Sequence, residues 1–141
     1  MDGLSGAASI VAMIDISAKI FEICQEYFSA VKEARKDIQR LRDGVTSLRD
    51  VLTDVRDLAE DPSSSRRSIF SRLNQHDGPV QRCERDLEQL VAQLQPGENT
   101  MRRFGFRALK WPFLSKDIDK RLQDINNHKV TFTMALTHDN L

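Results

Sequence analysis

Histidine and cysteine side chains are the groups that most often carry catalysis or bind metal, and this sequence contains few of either. The three histidines and two cysteines are His76, His128, His138, Cys24 and Cys83. None falls at the short spacing of a zinc or metalloprotease motif. The chain also lacks a glycine-rich phosphate loop and the G-x-S-x-G turn of hydrolases. We therefore expect no enzyme activity, no metal and no cofactor.

Length and charge narrow the class of protein further. The 141 residues suffice for one domain, and we expect a single domain over residues 1–141. The 21 basic and 21 acidic residues cancel, whereas nucleic-acid binding requires a basic excess. Both cysteines lie within apolar helical patterns, which predicts buried thiols in a reducing, intracellular setting. These features favour a cytoplasmic protein.

Apolar residues recur every three or four positions along most of the chain, which is the period of an amphipathic α-helix. The longest such seam comprises Val31, Ala34, Ile38, Leu41, Val45, Leu48, Leu52, Val55 and Leu58. Proline-containing breaks follow Asp61, Gln95 and Trp111 and separate further helices. We expect Ser115 to cap the last helix, with His128 at the boundary of its buried face. The sequence predicts an all-α fold, a helical bundle of four to five helices with an apolar N-terminal helix.

The stretch from Leu4 to Phe28 carries no charge in its first half. Charges then enter on one helical face, as a polar stripe of Asp15, Lys19, Glu22 and Glu26. Such a helix is long enough to cross a bilayer, but each charge at the bilayer centre costs about 2.5–3.5 kcal/mol. A single-pass anchor is therefore disfavoured.

Two interpretations of this stretch stay open. In one, it is the central helix of a water-soluble bundle with its stripe in water. In the other, it is buried at rest and enters a membrane as an oligomer whose stripes face inward. The second interpretation assigns membrane insertion to Leu4, Ile10, Val11, Met13 and Ile14.

Residues 101–114 combine basic and aromatic side chains without any acid. An interfacial membrane segment has this composition, because aromatic rings settle at headgroup depth and cations meet anionic lipid. Single-stranded nucleic acid would also suit it, and so would rings packed between helices with arginines reaching outward. The membrane interpretation predicts headgroup contacts by Arg102, Arg103, Arg107, Lys110 and Trp111.

Four segments of the chain carry a family resemblance. They are the small and apolar start Ala7–Ile14, the helix Asp37–Leu48, the corner Trp111–Ile118 and the final His128–Leu136. Together they resemble the fungal HeLo-like N-terminal domain of STAND-type receptors, over essentially the whole chain. This domain is related to the HeLo domain and to the four-helix executioner domain of mixed-lineage kinase-like proteins. Gly44 stands where an acidic residue is common, at what we expect to be a solvent position.

The resemblance implies an N-terminal effector domain of a longer protein, acting in programmed cell death, allorecognition or innate immunity. Its implied partners are further copies of itself, a downstream STAND or amyloid-signalling module, and anionic lipids of the plasma membrane after activation. The expected function is oligomerisation-dependent membrane permeabilisation, with the polar stripe facing partners or a water-filled pore. The alternative is an oligomerisation or signalling adaptor domain without membrane activity. No nucleic-acid partner is expected.

Overall fold

The computed structural model describes residues 2–61, 67–95 and 110–137, which form five α-helices. These are α1 (Asp2–Ala30), α2 (Arg35–Glu60), α3 (Arg67–Leu73), α4 (Pro79–Leu94) and α5 (Ser115–Thr137). Within those three ranges, helices are the only regular secondary structure. The predicted all-α bundle is confirmed.

The four long helices pack side by side in the ring order α1, α2, α5, α4. Helix α1 runs antiparallel to α2, because Gln25 near the end of α1 meets Arg42 near the start of α2. Helix α5 runs parallel to α2 and antiparallel to α4. The short helix α3 packs against α1. One end of the bundle therefore gathers the last turns of α1 and α4 with the first turns of α2 and α5.

Helix α2 supplies much of the core, as its periodicity predicts. Its fully buried residues are Ile38, Leu41, Val45, Leu48, Leu52 and Val55. The spacing of three and four places all of them on one side of the helix, facing the other long helices. The first two members of the predicted seam, Val31 and Ala34, precede α2 and are only partly buried.

Gly44 lies at a helix–helix contact, so the expectation that it occupies a solvent position is wrong. A Cβ atom built on Gly44 would stand 2.7 Å from the Cδ2 methyl of Leu122 on α5. Because Gly44 has no side chain, the Leu122 methyl of α5 can take the space beside α2 that a Cβ atom would occupy. The pattern of α2 could not show this contact, because it depends on which helix packs opposite.

Ser115 begins α5 as predicted, but its hydroxyl does not cap that helix. It donates a hydrogen bond to the Asp37 carboxylate on α2, at an O–O distance of 2.6 Å. Asp117 instead accepts a hydrogen bond from the backbone N–H of Leu114, at 2.9 Å. The Asp117 carboxylate thus stabilises the first turn of α5, and the Ser115 hydroxyl links α5 to α2.

Candidate functional site: helix α1 and the Trp111 corner

Helix α1 divides sharply into a buried and an exposed face. Its fully buried residues are Ile10, Met13, Ser17, Ile20, Cys24 and Tyr27. The one polar side chain among the first five, Ser17, satisfies its hydroxyl by donating to the Met13 carbonyl at 2.8 Å. The buried face therefore contributes to the bundle core without an unpaired polar group in its middle.

The residues assigned to membrane insertion do not share one environment in this structure. Ile10 and Met13 lie in the core, and Ile14 is partly buried against it. Val11 is 37% exposed. Leu4 belongs to α1, but its side chain lies outside the described part of the protein. In the closed bundle, most of the apolar surface of α1 is thus buried against the other helices.

The four members of the polar stripe all face solvent. Asp15, Lys19, Glu22 and Glu26 are exposed, on the side of α1 that points away from the core. Among the described residues, no helix is both long and apolar enough to cross a membrane. The stripe gives α1 a continuous charged side opposite its buried one.

Arginines of α2 cover the partly buried aromatic rings of α1. The guanidinium groups of Arg35 and Arg42 lie 5.1 and 5.7 Å from the centre of the Phe28 ring, and that of Arg49 lies 6.0 Å from Phe21. The seven-residue spacing of these arginines places them on one side of α2, along its seam with α1. A cation over a ring face is favourable, so the seam is closed by charge as well as by apolar packing.

A cluster of three aromatic rings forms the corner that precedes α5. The Trp111 ring lies edge-to-face against Tyr27 and Phe113, with ring centres 5.2 and 5.5 Å apart. The Tyr27 hydroxyl donates a hydrogen bond to the Leu94 carbonyl, at the last residue of α4. That carbonyl has no partner within its own helix, so the tyrosine satisfies it. We call Tyr27, Trp111 and Phe113 the aromatic corner.

The predicted headgroup contacts fall partly within the described residues. Lys110 is exposed, and Trp111 is partly buried in the aromatic corner. Arg102, Arg103 and Arg107 lie outside the described residues. The structure therefore brings Trp111 together with the C-terminal end of α1, a relationship that the sequence did not indicate.

The two cysteines are free thiols in the core, as their apolar surroundings predicted. Cys24 lies on α1 and Cys83 on α4, and both are fully buried. Burial disfavours the charged thiolate and raises the pKa of each from 9.0 to about 12. Neither thiol is therefore reactive at neutral pH while the bundle is closed.

Sequence reasoning missed the polar seam between α4 and α5. The His128 imidazole and the Asp86 carboxylate are 2.6 Å apart, and Arg121 donates to Gln93 along the same seam. Beside them lies an open cleft of about 250 Å³, whose lining includes Pro79, Arg82, Asp124 and Thr131. No group of three or more potential metal ligands occurs in the described ranges.

These features define a small all-α bundle with one amphipathic helix held by aromatic and cationic contacts. The chain matches the family of the pigment biosynthesis cluster protein PigL N-terminal domain over residues 1–141. It belongs to this family of fungal domains. Neither a curated protein nor a solved structure matches it.

Proposed function

We propose that this domain is a cell-death effector that stores α1 in its bundle and delivers it to membrane when several copies are clustered. The closed bundle is its cytoplasmic resting state, and the plasma membrane with anionic lipid is its target. The proposal rests chiefly on one observation. Most of the apolar surface of α1 is buried while its charged stripe is exposed.

This division suits a helix that exchanges one apolar environment for another. Ile10, Met13 and Ile20 are shielded from water in the bundle, and the hydrocarbon of a bilayer would shield them equally well. The charges at Asp15, Lys19 and Glu22 oppose insertion of a single copy. In an oligomer the stripes of several copies face one another around water, which removes most of that cost. Clustering is therefore the step that makes insertion favourable.

The resemblance of the sequence to HeLo-like domains supports the same function. It implies that a downstream STAND or amyloid-signalling module gathers the domains. The basic and aromatic stretch, including Lys110, would then hold the assembly at anionic headgroups. The three acids and one base of the stripe would favour cations in a pore.

The second candidate function is an adaptor that oligomerises without touching membrane. Two apolar side chains on the outer side of α5 favour it, since Val130 is 45% exposed and Met134 is 65% exposed. Residues four apart on a helix lie on the same side, so they form a small apolar strip that another copy could cover. Under this alternative the clustered state is itself the signal.

Dye release from vesicles separates the two functions. The whole chain, fused at its C-terminus to an inducible oligomerising tag, is added to anionic and to neutral vesicles. Ile14→Glu is the decisive variant, because Ile14 lies off the polar stripe and is only partly buried, so a carboxylate there keeps access to water in the closed bundle. Ile10→Glu is unsuitable, because it would bury a carboxylate in the core and unfold the bundle. Gln89→Glu, on the exposed side of α4, adds the same charge away from α1.

We expect the clustered wild type and Gln89→Glu to release dye from anionic vesicles. Ile14→Glu should assemble normally and release at least about tenfold less, because a carboxylate on the lipid-facing side of α1 costs several kcal/mol in a bilayer. Assembly of all three proteins without release from either kind of vesicle would favour the adaptor function instead.

A further inference from the structure

The aromatic corner joins two helices that are diagonal in the ring. Helix α1 packs against α2 and α4, whereas α5 packs against α2 and α4 from the opposite side. Trp111 belongs to the non-helical residues that lead into α5, and its ring rests on Tyr27 in the last two turns of α1. It thereby ties the leading end of α5 to the C-terminal end of α1.

One feature of Trp111 sets it apart from an ordinary core residue. Its indole N–H is buried, and it has no hydrogen-bond partner among the described residues. A buried donor without a partner is unfavourable compared with the same donor in water or at a lipid headgroup. The ring contacts therefore hold Trp111 in a position that its N–H disfavours, so any movement that exposes the ring regains a hydrogen bond.

The corner also stands next to the point about which α1 would turn. Residues 31–34 link α1 to α2, and Tyr27 lies one helical turn before them. Outward rotation of α1 about this link must separate Tyr27 from Trp111. It must also break the hydrogen bond from the Tyr27 hydroxyl to Leu94. Both contacts oppose the same motion.

We propose that the aromatic corner is an autoinhibitory latch, in which Trp111 holds the C-terminal end of α1 in the closed bundle. This inference rests on the proposed function, in which α1 leaves the bundle. The latch makes a prediction in the absence of any membrane. Weakening the Trp111–Tyr27 contact should release α1 before it loosens the other helices.

The two buried thiols can distinguish release of α1 from loosening of the whole bundle. Cys24 lies on α1, three residues before Tyr27, and Cys83 lies on α4. Release of the C-terminal end of α1 from the aromatic corner exposes Cys24 beside it, whereas Cys83 lies near the opposite end of the bundle, eleven residues before Leu94, and is exposed by global unfolding. The labelling rate of each cysteine by a maleimide, followed by mass spectrometry of its own peptide, gives the two opening equilibria in one sample of lipid-free protein.

Trp111→Ala is the main variant. We expect it to raise the labelling rate of Cys24 by at least about tenfold more than that of Cys83, because it removes an aromatic contact specific to α1. Trp111→Phe keeps a ring and removes the unpaired N–H, and its Cys24 rate should stay within about threefold of the wild type. Leu114→Ala, at an exposed neighbouring side chain, is the matched control and should leave both rates unchanged.

Equal acceleration of Cys24 and Cys83 by Trp111→Ala would show that the corner supports the whole fold, and it would overturn the latch. Acceleration of neither would overturn it as well. If Trp111→Ala does not fold, Tyr27→Phe replaces it. Loss of the bond to Leu94 should then raise the Cys24 rate relative to Cys83 by at least about threefold. No lipid is present, so failure here leaves the vesicle experiment as an independent test of membrane activity.

Discussion

The Cδ2 methyl of Leu122 occupies the space beside Gly44 that a side chain on α2 would otherwise fill, 2.7 Å from the position of its absent Cβ. Three polar contacts flank this point along the same two helices. Asp37 accepts from Ser115, Arg40 pairs with Asp119 at 2.6 Å, and Lys129 donates to Ser47 at 2.9 Å. The register of α5 on α2 is therefore fixed by the close packing of Leu122 on Gly44 and by a row of polar pairs.

The close packing of Leu122 on Gly44 predicts how substitutions at Gly44 affect stability. Gly44→Leu should lower the free energy of unfolding by about 1–3 kcal/mol, because overpacking pushes α5 away from α2. Gly44→Ala should be close to neutral. The better helix propensity of alanine is worth about 1 kcal/mol, and displacement of Leu122 offsets it. Urea unfolding measures both effects.

A double-mutant cycle isolates the steric contribution of the contact between positions 44 and 122 to stability. In a Leu122→Ala background the Cβ of Gly44→Ala meets no methyl group, so that substitution should now stabilise the bundle by about 1 kcal/mol. An identical effect of Gly44→Ala in both backgrounds would mean that the two residues do not interact.

The His128–Asp86 contact predicts that the α4–α5 seam depends on a polar pair. Asp86→Ala should lower the free energy of unfolding by roughly 1 kcal/mol, a modest value because both side chains retain access to water. Gln89→Ala, on the exposed side of the same helix, is the control and should change stability by less than about 0.5 kcal/mol. Equal effects of the two variants in urea unfolding would show that the His128–Asp86 contact does not help to hold α5 on α4.

The buried thiols predict a loss of stability at alkaline pH. Burial raises the pKa of Cys24 and Cys83 to about 12 in the folded protein, whereas their ordinary value is 9.0. Between these values the unfolded chain loses thiol protons that the folded chain keeps, so stability is complete below pH 9 and falls as the pH rises. Each thiol should contribute a slope of about −1.4 kcal/mol per pH unit.

Chemical unfolding at several pH values between 8.5 and 11 measures this slope. The double variant Cys24→Ala and Cys83→Ala should have a lower stability throughout but a visibly flatter dependence on pH. Burial also raises the pKa of Tyr27, which adds to the slope with the same sign and persists in the double variant. If the stability of the wild type and of the double variant changed with pH in parallel, the thiols would not be losing protons on unfolding.

The helices and most of their buried faces could be predicted from the sequence, because helical periodicity is local information. The seam of α2 illustrates this, since its six central members from Ile38 to Val55 are all buried. On α1 the polar stripe carries the same information. Val11 lies one helical turn before Asp15 and is exposed with the stripe, whereas Ile10 lies off the stripe and enters the core.

The contacts that define the candidate site could not be predicted in this way. Trp111 lies 84 positions from Tyr27 in the chain, and its contact with that residue depends on how α1 and α5 sit in the ring. The sequence placed Trp111 in a basic and aromatic segment, for which contact with lipid, binding of single-stranded nucleic acid and packing between helices all stayed open. The structure gives it a packing role in the closed bundle, which is compatible with a later move to lipid only if the corner opens.

The central claim, that α1 moves from the bundle into a bilayer, is tested most directly by a fluorescent probe at position 14, which lies off the polar stripe. Ile14→Cys can be labelled selectively with an environment-sensitive dye, because Ile14 is only partly buried whereas the two native thiols are fully buried with pKa values of about 12. Gln89→Cys with the same dye is the control on α4. After clustering on anionic vesicles, the dye at position 14 should shift to the blue and be quenched by brominated lipid tails. The dye at position 89 should stay accessible to aqueous iodide. A probe at position 14 that remains quenched by iodide alone, in protein that has demonstrably clustered on the vesicles, would contradict the claim.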